Sequence, residues 1–298
     1  MNINNNDNTI KMNANNNRLY QDVKFLTDIN PPRNYKNLQS LNKAADYIKQ
    51  EFEKCEGEIE EQLWQADGKE YRNIILKYAP EKSKRLIIGA HYDVCGDQPG
   101  ADDNASAIAG LLETARLVSE NNATPDYGLD FVAFSLEEPP FFAGKQMGSY
   151  VHAKSLFDTN TDVLGMICYE MIGYFSNKPG SQGYPSAEFS KIFPDIADFI
   201  VVVGITEHQD FNEQFYNLMR KGSEVNVLIN NFPSNDGLAG MSDHLNYWKF
   251  GYKALMINDT SFFRNPNYHN ADDTIETLNF IKMKQVVDSS YRAIINLN

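Results

Sequence analysis

Between Arg85 and Asn296 the chain alternates short apolar runs with stripes of helical spacing. That alternation confines it to layered α/β folds. Arg85-Leu86-Ile87-Ile88-Gly89-Ala90 reads as a buried strand. Ile108, Leu111, Leu112 and Ala115 then recur at i, i+3, i+4 and i+7, the apolar face of a helix. The spacing predicts helices over 105–119, 146–155, 208–221, 243–249 and 279–296. It predicts strands over 85–90, 129–136, 163–170, 198–204, 224–230 and 253–258. Ahead of these, Leu38, Leu41, Ala45, Ile48 and Phe52 mark a helix after the stop Pro31-Pro32. Two strands near 58–65 and 71–79 flank Gly68 and read as an antiparallel pair. The expectation is an α/β fold: one three-layer α/β/α domain over 19–298, its mixed sheet mostly parallel with antiparallel edge strands. The Asn-rich stretch 1–18 has few apolar anchors and reads as a disordered tail.

Composition matters for partners. A net charge of −13 argues against nucleic acid and against anionic membrane surfaces. No run reaches the length of a membrane span, and no signal peptide is visible at the start. Cys55, Cys95 and Cys168 form no CxxC and no even set, so neither a disulfide framework nor a zinc ribbon is supported. A reducing cytoplasm fits such thiols. Cys168 lies in an apolar run and reads as core. Cys95 sits near a metal-like motif but is not needed as a ligand if carboxylates fill the shell.

Polar groups gather where the strands end. After 85–90 come His91-Tyr92-Asp93 and then Gly100-Ala101-Asp102-Asp103-Asn104-Ala105-Ser106. In open α/β sheets ligands bind at the carboxyl ends of strands, and imidazole with carboxylate suits a divalent metal. A solvated acidic turn gives the same local pattern, so recurrence decides. The strand near 129–136 ends in Glu137-Glu138-Pro139-Pro140, two carboxylates that are costly there without a cation. Glu170 stands alone in the apolar run Gly165–Gly173, as a satisfied buried acid or a ligand. Ser242-Asp243-His244 opens a helix, and Tyr268-His269 follows the strand 253–258. His152 and His208 fall on predicted helices and read as packing or surface residues.

Taken together, HYD at 91–93, GADDNAS at 100–106, Glu137-Glu138, Glu170-Met171-Ile172-Gly173, Ser242-Asp243-His244 and Tyr268-His269 resemble the co-catalytic di-zinc aminopeptidase family. That family includes bacterial leucyl aminopeptidases, glutamate carboxypeptidase II and glutaminyl cyclases. The resemblance spans about 35–298 and implies a zinc-exopeptidase-like fold with two zinc ions. It implies that Asp103 bridges the ions, with His91 and Glu170 on one and Glu138 and His269 on the other. Glu137 is implied as general base, Asp93 as the partner that orients His91, and Asp243 as a hydrogen-bonding group near the base. It also implies a cis Asp103–Asn104 peptide. Two positions depart from the family: Glu170 is most often Asp there, and Ala239 stands where the secreted enzymes carry an oxyanion-binding Tyr. His244 or a metal alone is then left for the oxyanion.

The activity so implied is removal of the N-terminal residue from a peptide or small amide with a free amine. Phe141, Phe142, Phe262, Phe263 and Tyr268 flank the motifs and could wall a pocket for the first side chain. The alternatives are a one-zinc glutaminyl cyclase and a non-catalytic binding protein on the same fold.

Overall fold

The computed structural model describes residues 13–235 and 237–298. Among them run helix α1 (Asn16–Thr27), α2 (Leu38–Phe52), strands β1 (Glu58–Ala66), β2 (Lys69–Tyr78) and β3 (Lys84–His91). Next come α3 (Ala107–Glu120), β4 (Gly128–Phe134), α4 (Gly148–Asp158), β5 (Asp162–Glu170), β6 (Phe199–Ile205), α5 (Gln209–Arg220) and β7 (Asn226–Phe232). Helix α6 (His244–Trp248), β8 (Ala254–Asn258) and α7 (Phe280–Asn296) complete the chain. The strands form one eight-stranded sheet in the order β1-β2-β4-β3-β5-β8-β6-β7.

The expected mixed α/β architecture is present. The centre β4-β3-β5-β8 is parallel, and β1-β2-β4 is antiparallel. The pair β6-β7 is parallel within itself but meets β8 antiparallel, a reversal that the strand–helix alternation does not encode.

Period-two alternation sends side chains to two cores. Leu86, Ile88 and Ala90 of β3 join the core under α1, α2, α3, α5 and α7. Ile87, with Val132, Met166 and Cys168, joins the smaller core under α4 and α6. Both faces of the sheet are therefore covered, as the continuous apolar runs of its central strands require.

Helix α1 corrects the expected tail. Residues 1–12 lie outside the described residues, but Asn16, Asn17 and Arg18 open a helix capped by the Asn15 side chain. Its Leu19, Val23 and Leu26 are fully buried. Asp22 ties it to Arg116 of α3 at 2.6 Å, and Arg116 also reaches Glu51 of α2 at 2.8 Å. Among the described residues no helix is long and apolar enough to cross a membrane.

Candidate metal centre

The parallel strands β3, β4, β5 and β8 end on one edge of the sheet, and the acids and histidines collect there. His91 is the last residue of β3 and pairs with Phe134, the last of β4. Glu170 is the last of β5 and pairs with Asn258, the last of β8. Glu137 and Glu138 lie just beyond β4, and His269 lies on the loop beyond β8. Asp103 comes from an irregular turn, Ala101–Ser106, that leads into α3. Gly100 enters this turn with φ 61°, and a Cβ there would collide with Val94 and with the Asp103 carbonyl. The Asp103–Asn104 peptide is cis.

One carboxylate faces two ways. Asp103 Oδ1 lies 3.4 Å from His91 Nε2, and its Oδ2 lies 3.0 Å from His269 Nε2. His91 Nε2 is also 3.3 Å from Glu170 Oε2, and His269 Nε2 is 3.4 Å from Glu138 Oε2. Donor atoms of His91, Asp103 and Glu170 converge within 4.8 Å of one another, as ligands of one cation do. The extra methylene of Glu170 does not take it out of reach. Glu137 Oε2 is 3.8 Å from His91 Nε2.

Hydrogen bonds from the surrounding chain fix these groups. The Asp93 carboxylate accepts the backbone N–H groups of Glu137 and Glu138, each at 3.1 Å. It lies 3.5 Å from His91 Nδ1, whose shorter contact is to the Asp93 carbonyl at 3.2 Å. Asp93 therefore positions the glutamate pair more directly than the His91 ring. Asp273 does the same for the bridging loop, accepting from Asp102 N at 2.9 Å and Asp103 N at 3.1 Å. Ser242 donates to Glu170 Oε2 at 2.6 Å. Arg33, wholly buried, joins the two motif loops by donating to the Tyr92 carbonyl at 2.9 Å and the Gly100 carbonyl at 2.7 Å.

The peptidase family M28 model matches residues 73–293, most of the chain and every group just described except Arg33. The chain belongs to peptidase family M28. It is 42% identical over 279 residues to the uncharacterized protein YfbL of Escherichia coli (strain K12), covering 91% of this chain and 85% of that one. It is 25% identical to leucine aminopeptidase 1 of Sclerotinia sclerotiorum, covering 90% of this chain and 71% of the relative. A solved glutaminyl cyclase from Bacteroides thetaiotaomicron superposes with TM-score 0.72 at 21% identity, covering 96% of this chain and 99% of that one. At that identity the likeness is one of fold.

In this M28 chain the centre carries far more acid than base. Burial, with Glu138, Glu170 and Asp243 close by, pushes Glu137 well above the usual carboxylate range. Burial and then Asp103 push Glu138 up to about 8. Burial would lower His91 and His269, yet the carboxylates win: His91 rises well above its ordinary value and His269 to about 10. Glu138 Oε1 is buried and has no hydrogen-bond partner among the described residues. A buried carboxylate oxygen without a donor is costly. A donor set of imidazole and carboxylate is what zinc takes. His91, Asp103 and Glu170 fit such a cation, and Asp103 and Glu138 both also face His269, at 3.0 and 3.4 Å.

Beside the M28 centre opens a cavity of about 200 Å³. Asp103, Glu137, Glu138, Glu170 and His269 line it together with Phe142, Phe262, Phe263 and Tyr268. Tyr268 stacks on the His269 ring at 3.8 Å. Burial and then the carboxylates hold its phenol protonated far above the ordinary range. Phe141 is no part of this wall; it is buried against Tyr35 and Tyr71. His244 does not line the cavity either. Its Nε2 lies 2.7 Å from the Ala239 carbonyl, its ring meets Trp248 edge-on, and burial lowers its pKa to about 4. Asp243 is fully buried with no hydrogen-bond partner for its oxygens among the described residues, and burial raises it to about 7. His152 is buried with Nδ1 2.6 Å from the Tyr247 hydroxyl. Sequence reasoning passed over Arg33, gave Asp273 no role although it closes the motif that begins at Tyr268-His269, and set Cys95 aside. The structure brings a donor atom of Cys95 within 4.8 Å of Glu138 and His269.

Proposed function

We propose that the protein is a zinc aminopeptidase that holds two ions and removes the first residue from peptides with a free N-terminal amine. The observation that carries this reading is the Asp103 carboxylate, whose two oxygens serve two separate histidine–carboxylate groups. M28 membership and the leucine aminopeptidase relative support it. Zinc bound there acidifies water and polarises a carbonyl.

The remaining chemistry belongs to the chain. Glu137, buried at the cavity floor with its pKa raised, takes the proton from the attacking water and returns it to the leaving amine. Glu170, Asp103 and Glu138 present negative charge that favours a cationic N-terminus. The Tyr268 phenol, kept protonated, is a donor for the developing oxyanion where Ala239 offers none. Phe142, Phe262 and Phe263 favour a large apolar first side chain.

A second reading is supported by the glutaminyl cyclase likeness, which covers nearly the whole of that chain. One panel separates the two. Aminoacyl anilides, their N-acetylated forms and N-terminal Gln peptides are assayed with zinc and after chelation. The proposal expects free-amine substrates alone to be cleaved, with Leu or Phe ahead of Ala or Glu, and cleavage to stop on chelation. Cyclisation of Gln without anilide release would overturn it.

A further inference from the structure

Cys95 lies on the loop between β3 and the bridging turn, half-buried, and forms no disulfide. Its Sγ, a Glu138 carboxylate oxygen and a His269 ring nitrogen lie within 4.8 Å of one another. Two of these three groups already belong to the second cation site. An independent observation points to the same corner: Glu138 is only 4% exposed, yet its Oε1 has no hydrogen-bond partner among the described residues. Its other oxygen faces His269. A thiol, a buried carboxylate with one oxygen unpartnered and an imidazole meet in one place, three donors with no cation of the chain between them.

Resting on the two-ion reading above, we propose that Cys95 is a thiolate ligand of the ion held by Glu138 and His269. Zinc–sulfur bonds are about 2.3 Å and zinc–nitrogen or –oxygen bonds about 2.0–2.2 Å, so donors on one tetrahedral ion stand about 3.5 Å apart. A side-chain movement of the order of 1 Å closes the observed separation to that value. The thiol proton leaves to solvent as the metal–sulfur bond forms, so no oxidant or other reactant is required.

Two consequences follow for the centre. With Asp103, Glu138 and His269, the thiolate makes four protein donors, the closed shell of a holding site rather than a reacting one. The ion at His91, Asp103 and Glu170 then keeps the open position, next to Glu137. A soft thiolate also biases the second site toward zinc and away from magnesium or manganese.

Cobalt(II) substitution reads this directly. Purified apoprotein is reloaded with two equivalents of cobalt, and the absorption spectrum is compared for the wild type, Cys95→Ser and Cys95→Ala. Visible d–d bands report that cobalt is bound, and near-ultraviolet sulfur-to-cobalt charge transfer reports a thiolate bond. The expected result is charge transfer in the wild type that is lost in both variants while d–d bands persist. Wild-type d–d bands without charge transfer would overturn the thiolate ligand and leave the metal centre standing. Charge transfer that survives in both variants would overturn it too, by assigning the sulfur elsewhere. A protein that binds no cobalt at all would overturn the two-ion reading itself. Circular dichroism of the apo variants confirms that each comparison is between folded proteins.

Discussion

Adjacent glutamates with different tasks give the most demanding test of the centre. Glu137 and Glu138 receive the same support, since the Asp93 carboxylate accepts a backbone N–H from each at 3.1 Å. Their side chains stay close, one oxygen of each lying within 4.8 Å of the other and of a His91 nitrogen, but their histidine contacts differ. Glu138 Oε2 faces His269 at 3.4 Å, whereas Glu137 Oε2 faces the His91 side at 3.8 Å and lines the cavity. Glu137→Gln keeps the shape and removes only the ability to take a proton. A positioned general base contributes about 10²–10⁴-fold, or about 3–5 kcal/mol of transition-state stabilisation. The variant is expected to lose that much in kcat with KM nearly unchanged, the signature of an interaction made in the transition state. Zinc content should stay at the wild-type level. The apoprotein should melt close to the wild type, because burial and the neighbouring Glu138, Glu170 and Asp243 already favour the neutral form of Glu137.

Glu138→Gln is expected to behave differently. It removes a ligand, so zinc content falls by about one equivalent of two before any kinetic effect is read. Anilide hydrolysis with zinc quantified on the same samples tests both. Glu137→Gln within about tenfold of wild-type kcat would refute the base. Loss of zinc from Glu137→Gln, with retention by Glu138→Gln, would show the two roles reversed.

Three further outcomes are expected. Ser242→Ala removes the 2.6 Å hydrogen bond to Glu170 Oε2 and should weaken zinc at that site about 10–100-fold in a chelator competition. Val203, which lines the cavity, should act as a gate on side-chain size: Val203→Trp lowers kcat/KM for Phe anilide at least about tenfold relative to Ala anilide. An unchanged Phe/Ala ratio would remove the cavity as the selector. His152 is buried and burial lowers its pKa to about 4, below its unfolded value near 6.5. Between these values the unfolded chain binds the extra proton, so stability is full above about pH 6.5 and falls as pH drops, by about 3 kcal/mol below pH 4. Urea titrations of His152→Gln should show a shallower acid-side fall than the wild type.

The parts that were legible in the sequence are those written locally. Central strands buried on both faces read as unbroken apolar runs, so Leu86–Ala90 and Leu129–Phe134 are visible without any partner. The candidate ligands are legible because His91 and Glu170 end strands, Glu138 follows one, Asp103 lies in the turn into α3 and His269 on the loop beyond β8. The reversal of β6-β7 against β8 is fixed by a nonlocal register, and nothing in either strand states it. Helix α1 was hidden by its asparagines, although Asn15 as a cap and Leu19, Val23 and Leu26 at i, i+4 and i+7 were there to be read. Arg33 could not be found, because the Tyr92 and Gly100 groups that it joins are main-chain carbonyls and carry no residue type. Cys95 was judged by its neighbours in sequence, while the groups that matter to it sit on the loops after β4 and β8.

Charge balance links these observations. Asp103, Glu137, Glu138 and Glu170 line the cavity, and Asp93 and Asp243 act on them from behind; all six carboxylates are less than 10% exposed. Burial lowers the pKa of the Arg33 guanidinium, and the carboxylates of Asp273, Asp103, Asp93 and Glu138 oppose that shift. That is far more negative charge than one buried guanidinium offsets, too much to keep ionised out of water. Without metal the centre can relieve this by taking up protons, and the raised pKa values of Glu137, Glu138, Asp243, His91 and His269 all run in that direction. On the two-ion reading, the cations would offset four of these charges, and Glu137, lining the cavity, is the carboxylate left to take a proton from water during turnover. On this view the acidity of the site is common to metal binding and to proton transfer: the carboxylates that hold the cations are the same groups that keep the base's pKa high.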